Sequence, residues 1–421
     1  LKKVILIGAG IRGQGYTNLM AEQTDFQVVA VAEPIEERRL YVQEKHRIPD
    51  ERCFESWEGL LALGKIADVC IVATMDREHT APALAAMKAG YDLLLEKPTA
   101  PTPEECVLIE QTAQAHGRFV LVCHVLRYTP FFRLLKKLID DGEVGQVVNI
   151  QHNEGVGHLH QSHSYVRGNW GNSDRSAPMI LAKSCHDMDI LQWLMGEACT
   201  KVQSFGTLSH FTRDNAPAGA PEFCIEGCPV GESCVYNAVK LYLHSKSNWF
   251  RCAATKRIRP TDADVERAIR TTNYGRCVYQ CDNNVVDHQV VNLEFENRAT
   301  ATFSMCAFNQ GSRTIRIMGT KGEIMADMGD DFVSLFRFSS GAVEKIIISE
   351  ALSDQSIVGG HGGGDGGIVR ALATLGDKHS PYRDSLCDIS TATRNHMIAF
   401  AAEESRLSGQ VVDMQEFMGR F

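Results

Sequence analysis

"KKVILIGAGIRGQG", residues 2–15, decides the fold. The apolar run that opens it has the pattern of a strand buried on both faces. It ends in Gly8, Gly10 and Gly13, a G-x-G-x-x-G spacing, and a helical stretch follows. Glycine at the first two positions lets the backbone turn and approach a pyrophosphate, and the third lets the helix pack close to the strand. The helix opens with Ile11, Arg12 and Gly13, whose unpaired N–H groups favour an anion. Glu33 ends the next apolar run, "FQVVAVAE" (26–33), 20 residues past Gly13. A carboxylate there accepts both hydroxyls of an adenosine ribose and repels a 2′-phosphate. Together these features predict NAD rather than NADP, with Arg38 and Arg39 the nearby residues that would favour the opposite choice.

Working outward, "ADVCIVAT" (67–74), "YDLLLEKP" (91–98) and "RFVLVCH" (118–124) are further strand-like runs, separated by helical patterns such as "PEECVLIEQTAQAHG" (103–117). Short apolar strands alternating with helices imply a doubly wound parallel sheet. After about residue 125 the pattern changes. "PFFRLLKKLIDDG" (130–142) predicts a helix, and then strand-like runs dominate: "QVVNIQHN" (146–153), "CVYNAVKLYL" (234–243), "VVNLEFEN" (290–297), "ATATFSMCAF" (299–308), "TIRIMGT" (314–320), "GEIMAD" (322–327) and "FVSLFRF" (332–338). Residues 365–405 return to helix. The expected architecture is α/β plus α+β. Residues 1–125 form a Rossmann domain. Residues 126–421 form a second domain with a large, mostly antiparallel open sheet, interrupted by an insertion at about 212–235.

A chain of 421 residues is too long for one ordinary core, which agrees with two domains. The 43 basic and 52 acidic residues give a net charge of −9, and no basic run or arm appears, so nucleic acid is not an expected partner. The first residues lack the long apolar region and cleavage site of a secretory signal, and no stretch approaches 18 uncharged apolar residues. Most of the 14 cysteines lie singly in apolar contexts. A cytoplasmic protein with reduced thiols is therefore expected.

"GAGIRG", the acidic end of the second strand, "ATMDREH" (73–79), "EKP" (96–98), "LRYTPFF" (126–132) and the 180–196 segment occur in the order found in the glucose–fructose oxidoreductase/inositol dehydrogenase/MocA (Gfo/Idh/MocA) family, which the chain resembles over roughly residues 1–200. The family's second-domain sheet fits residues 145–350. The resemblance implies a tightly held nicotinamide cofactor, a sugar, inositol or related polyol as substrate, and a homo-oligomer, dimer or tetramer, paired through the large sheet. It assigns Lys97 to catalysis at the reacting carbon, and Thr74, His79, Glu96 and Lys97 to the cofactor. It places Arg127 near the nicotinamide end. Asp76 stands where the family usually has Asn.

"ILAKSCHDMD" (180–189) sets ionisable groups inside an apolar run, which is costly unless they pair or work. Read as one helix capped by Ser176, with Pro178 in its first turn, it puts Leu181, Cys185, Met188 and Met195 on a core stripe. Lys183, His186 and Asp189 then share another side. The resemblance makes His186 the acid/base toward a substrate hydroxyl. The family's usual aspartate falls on Ala182, and Lys183 is an additional ionisable group. The expected catalytic set is Lys97, His186 and Lys183, three cations that would depress one another's pKa, with Asp187 or Asp189 orienting His186 or a backbone N–H.

"EGVGHLHQSHSYVRGNWGN" (154–172) has the pattern of a flexible loop that offers Tyr165, Arg167 and Trp170 to the substrate beside Lys183 and His186. The spacing of His158, His160 and His163 suits no helical face and argues against a metal. Arg276, His288, His361 and Asp365 are second-rank substrate candidates. Cys224, Cys228 and Cys234 lie within eleven residues. Their spacings match no common zinc motif, and a structural metal, free thiols and a disulfide all remain open. A fourth ligand would come from Cys252, Cys277, Cys281 or a histidine, and an iron–sulfur site is a further alternative. Three functions are compatible with these residues. The first is hydride transfer between a sugar or cyclitol hydroxyl and NAD. The second is a redox glycosidase or lyase that uses NAD catalytically, through oxidation, elimination, hydration and reduction, and would need an extra base such as Lys183. The third is a non-catalytic NAD or sugar sensor.

Overall fold

The computed structural model describes residues 1–23, 25–245, 247–352 and 361–421. Its first sheet contains β1 (Lys2–Ile7), β2 (Phe26–Ala32), β3 (Cys53–Phe54), β4 (Val69–Val72), β5 (Asp92–Leu95) and β6 (Val120–Val122). All pairings are parallel, in the order β3-β2-β1-β4-β5-β6. That is a Rossmann sheet, and the order reverses between β1 and β4, where such sheets hold their ligand. Helix α1 (Ile11–Ala21) leaves the glycine turn after β1.

The second sheet contains β7 (Val147–Gly155), β8 (Cys199–Thr207), β9 (His288–Phe295), β10 (Thr300–Cys306), β11 (Ser312–Gly319), β12 (Gly322–Asp327), β13 (Phe332–Arg337), β14 (Ala342–Ile347) and β15 (Val412–Asp413). Its order is β14-β13-β12-β11-β7-β10-β9-β8-β15, antiparallel except for the β7–β10 pair. Strand period 2 sends Ile150, His152 and Glu154 of β7 to the buried face and leaves Gln151 and Asn153 on the outer one. Helix α2 (Pro130–Asp140) packs Phe132, Leu135 and Leu138 into the same core. Its first turn is held by Thr129, which accepts the Phe132 N–H at 3.2 Å, with Pro130 at the first helical position.

The two-domain pattern has a closure the sequence did not announce. After β14 the chain returns to the Rossmann sheet. Ile368, Val369 and Leu372 pack with Val4, Leu6 and Tyr16 on one face, while Cys387, Ile389 and Ala392 pack with Ile5 and Val122 on the other. Residues 359–360 of the glycine loop lie outside the described residues.

Two local expectations are corrected. "CVYNAVKLYL" is not a strand. The Asn237 side chain accepts the Val239 N–H at 2.8 Å, and a wide helical turn, Val239–Leu243, follows. The 154–172 stretch is not a flexible loop either. β7 runs to Gly155, and Gln161–Arg167 is a buried helical segment of π type. The excursion between β8 and β9 spans 208–287, wider than the predicted insertion. Among the described residues, no helix is long and apolar enough to cross a membrane.

Candidate active site

The turn after β1 needs its glycines. Gly8 has φ +90°, and a Cβ there would lie 2.6 Å from the Ala73 carbonyl oxygen. A Cβ on Gly13 would lie 2.1 Å from the Gly8 oxygen, whereas Gly10 faces open space with nothing within 4 Å of its Cβ position. No side chain caps α1, so its first N–H groups stay available at that opening. The Thr74 hydroxyl, two residues past β4, is buried without a partner among the described residues. An open helix N-terminus, a cradle that tolerates no side chain and an unpaired buried hydroxyl fit a dinucleotide.

Glu33 is 4% exposed and accepts the N–H groups of Ala9 (2.7 Å) and Ile35 (2.9 Å). Each carboxylate oxygen retains a lone pair for a ribose hydroxyl. Arg39 donates to the Glu33 carbonyl and pairs with Glu55 at 3.3 Å, and Arg38 reaches the Lys256 carbonyl at 3.2 Å. Neither arginine replaces the carboxylate. NADH should therefore bind at least tenfold tighter than NADPH, and Glu33→Ala should weaken NADH about 10–100-fold, the worth of hydrogen bonds to a charged group. Tighter NADPH than NADH in a fluorescence titration would sink this prediction.

Arg12 does not reach outward. It pairs with Glu96 at 2.7 Å and with Asp365 at 2.8 Å and also contacts the Tyr16 hydroxyl, clipping the glycine turn to helix α5 (Gly364–Ala373). Burial opposes ionisation of Glu96, but Arg12 and Lys97 outweigh it and hold the carboxyl below its ordinary range. His361 contacts Asp365 at 3.1 Å, so both belong to this clip. His79 braces the turn after β5, one ring nitrogen at 2.7 Å from the Pro98 carbonyl and the other at 3.1 Å from that of Thr74.

The 179–195 stretch is two helices, α3 (Met179–Ala182) and α4 (Cys185–Met195), broken at Lys183 and Ser184. Ser176 does not cap them, because its hydroxyl bonds Asp76. In an unbroken helix the Ala182 carbonyl would accept the His186 N–H four residues on. Here it accepts Lys97 Nζ at 2.8 Å. The break thus brings Lys97 from the end of β5 against the start of α4. His186 lies there, 5% exposed, with its Nδ1 unpartnered. Burial first, then the charge of Lys97, holds His186 well below the ordinary histidine pKa, with His124 and His361 adding to the effect.

The break also corrects the shared side expected for Lys183, His186 and Asp189. Lys183 turns to Glu154 at 3.1 Å. Glu154 faces Arg313 directly across the β7–β11 ladder, and the two are paired at 2.5 Å. Burial lowers the Lys183 pKa, and Glu154 partly restores it. Lys183 is therefore one arm of a Lys–Glu–Arg cluster rather than one of three bare cations. Neither aspartate orients His186. Asp187 bonds His152 and Arg313, each at 2.8 Å, and Asp189 takes both arms of Arg127 at 2.8 Å. Arg127 is consequently committed beneath the site, 4% exposed, with its guanidinium against Trp193.

Tyr165 packs between His160 and Trp170, with ring centroids at 5.6 and 6.4 Å, and Trp170 Nε1 donates to Asp76 at 2.9 Å. Arg167 points elsewhere, into the 208–287 excursion, where it donates to the carbonyls of Arg276 and Tyr236. His163 bonds the Tyr242 hydroxyl at 2.9 Å, Arg276 pairs with Glu222, and His288 with Asp287, so none of these faces the Lys97–His186 cleft as a free group. Glu154, Arg313 and His124 are the site residues that sequence spacing missed. All 14 cysteines are free. Among the described residues, the tight grouping of ligand atoms is His124, Asp189 and Cys387, already served by the Arg127 cation.

Comparison with known proteins agrees with this geometry. Residues 2–124 match the NAD-binding Rossmann fold of the Gfo/Idh/MocA oxidoreductase family, and residues 136–337 match its C-terminal alpha/beta domain. The Bacillus subtilis oxidoreductase-like protein YteT is 27% identical over 328 residues, 74% of this chain and 73% of its own. An inositol 2-dehydrogenase of Burkholderia multivorans is 29% identical over 200 residues, 47% of this chain and 56% of its own. A 2,7-anhydro-N-acetylneuraminate hydratase of Mediterraneibacter gnavus is 28% identical over 203 residues, 48% of this chain and 51% of its own. This chain thus spans only about half the length of the last two. An NAD-binding oxidoreductase from Klebsiella pneumoniae shares the fold across 98% of both chains, with TM-score 0.70 and 16% identity. With both domain signatures present in order, the chain belongs to the Gfo/Idh/MocA family of NAD-dependent oxidoreductases.

Proposed function

We propose that the protein transfers a hydride between NAD and a secondary hydroxyl of a carbohydrate or cyclitol. The observation that carries this is the junction of Lys97 with the broken 179–195 helix, which sets an amine and a buried imidazole of lowered pKa at the C-terminal edge of the Rossmann sheet. Thr74, Glu33 and the Gly8–Gly13 turn would hold the dinucleotide, which when bound supplies the hydride acceptor. His186, kept unprotonated, takes the hydroxyl proton. Lys97 orients the hydroxyl oxygen and stabilises negative charge developing on it. Lys183, tethered by Glu154, offers a donor to a neighbouring substrate hydroxyl. Tyr165 and Trp170 supply apolar faces on which a sugar ring packs. The inositol dehydrogenase relative supports a polyol substrate. Phe205 and Met325, exposed on the outer face of the second sheet, support a homo-oligomer formed through that face.

A second function is favoured by Lys183 and by the hydratase relative. A base beside an oxidised carbon could remove the adjacent C–H proton and drive elimination and hydration with no net redox change. A panel of free sugars, cyclitols and glycosides, followed by both NADH absorbance and aglycone release, separates the outcomes. Net NADH formation supports the dehydrogenase. Aglycone without NADH supports the redox lyase, and neither signal leaves a sensor. Lys183→Met decides further. Loss of aglycone release with surviving partial oxidation would assign Lys183 to the elimination step.

A further inference from the structure

Arg167 is 2% exposed, and no carboxylate lies within ion-pair distance of it among the described residues. Its Nη1 is buried with no partner. A guanidinium so placed needs a counter-charge, because a buried cation without one is strongly destabilising. What it faces is sulfur. Nη2 points at Cys224 Sγ at 3.6 Å. Beside it is a small cavity lined by Cys224, Cys228, Cys234 and Cys277.

The backbone assembles these four thiols from distant segments. Phe223 bridges Arg276, and Cys277 N–H bonds the Glu222 carbonyl at 2.8 Å, which sets Cys277 opposite Glu222, two residues before Cys224, and both sulfurs line the cavity. Tight turns at 228–231 and 230–234, through Gly231 N–H to the Cys228 carbonyl (3.0 Å) and Cys234 N–H to that of Val230 (2.8 Å), fold Cys228 and Cys234 back to the wall of the same cavity. The amides of Tyr236 and Tyr279 bond the sulfurs of Cys234 and Cys277, each two residues before, although burial on balance raises both thiols. The other candidates do not line the cavity. Cys252 bonds the Ile258 carbonyl and Cys281 that of Cys277.

We propose that Cys224, Cys228, Cys234 and Cys277 bind a structural Zn²⁺ ion, and that the negative charge of the resulting tetrathiolate centre is the counter-ion of Arg167. Four thiolates around a divalent ion carry a net charge of −2, and zinc accepts this all-sulfur tetrahedral set. The four sulfurs line one cavity without closing to coordinating distance, the tight grouping of ligand atoms among the described residues being that at His124. Metal capture therefore includes turning these side chains inward. The ion would fasten the 208–287 excursion to Arg167, the last residue of the segment that carries Tyr165.

The test uses full-length reduced protein equilibrated with Zn²⁺, desalted and analysed for metal. About one zinc per chain is expected, released by a thiol-reactive mercurial. Cys228→Ser and Cys277→Ser should each lose the zinc, and Cys252→Ser should keep it. Should those variants fail to fold, mass spectrometry of the wild-type protein alkylated with and without Zn²⁺ decides, with protection expected at the four named cysteines and none at Cys252. No bound zinc, iron in its place, full zinc retention in Cys228→Ser and Cys277→Ser, or equal alkylation with and without metal would each overturn the site.

Discussion

His186→Ala is expected to lower kcat about 10²–10⁴-fold, the range that a positioned acid or base contributes. NADH affinity should stay within about twofold, because His186 lies outside the NAD-binding Rossmann match over residues 2–124. Lys97→Met should lose activity over the same range by a different route, since it removes the cation next to the hydroxyl oxygen rather than the proton acceptor. The pH dependence separates the two roles. Burial and the Lys97 charge hold the His186 pKa well below the ordinary histidine value, which favours the neutral imidazole a base requires. The acid limb of kcat/KM should then lie below that of an ordinary histidine. In Lys97→Met the imidazole should titrate higher, because the second-largest cause of its depression is gone, and NMR of the ring protons reads this without any turnover. An acid limb at or above 6.5 in the wild type, with no change in the His186 titration on losing Lys97, would remove His186 from the role of a base.

The glycine turn, Glu33 and the parallel sheet were legible because each is specified by neighbours in sequence. The strand fixes the turn, and the turn fixes which residues cannot carry a Cβ. Most of the second sheet was legible from alternation, as in Ile150, His152 and Glu154. Legibility ended where a partner comes from far along the chain. Helical spacing put Lys183 and His186 on one side, but that inference assumes a continuous helix, and nothing local announces the break at Lys183–Ser184. Glu154, the partner of Lys183, lies on a strand, and its pairing with Arg313 follows from a register set 159 residues later in the chain. The strand expected at 234–243 fails for a readable reason. Asn237 is a turn-former that ties the Val239 N–H, and its presence in an alternating run was a signal against a strand. The direction of Arg167 was not readable, because nothing local sends a basic residue among aromatics toward the Arg276 and Tyr236 carbonyls rather than toward a substrate.

Asp189→Ala is expected to cost about 3–5 kcal/mol of stability, since removing one partner of a buried pair leaves the other charged and unpaired. Arg127 donates to both oxygens of Asp189 at 2.8 Å, and Asn395 and Cys387 complete the carboxylate's shell. Burial opposes ionisation of Asp189, but Arg127 outweighs it and keeps the pKa below the ordinary value. The sign follows. The pair stabilises the fold above the unfolded carboxylate pKa of about 4, and this contribution fades only as pH falls through the lower folded value. At neutral pH, Arg127→Met should be destabilising by a similar amount, because it strands the carboxylate. The double variant Arg127→Met/Asp189→Leu should then lie closer to the wild type than either single variant, since an apolar pair of similar volume leaves no buried charge. Urea unfolding of the four proteins reads the cycle, and NADH titration of the double variant reads the role of Arg127. Retained NADH affinity assigns Arg127 to holding α4, and so His186, in place. Additive losses in the unfolding cycle, or an NADH affinity more than tenfold weaker in a folded double variant, would return Arg127 to the cofactor.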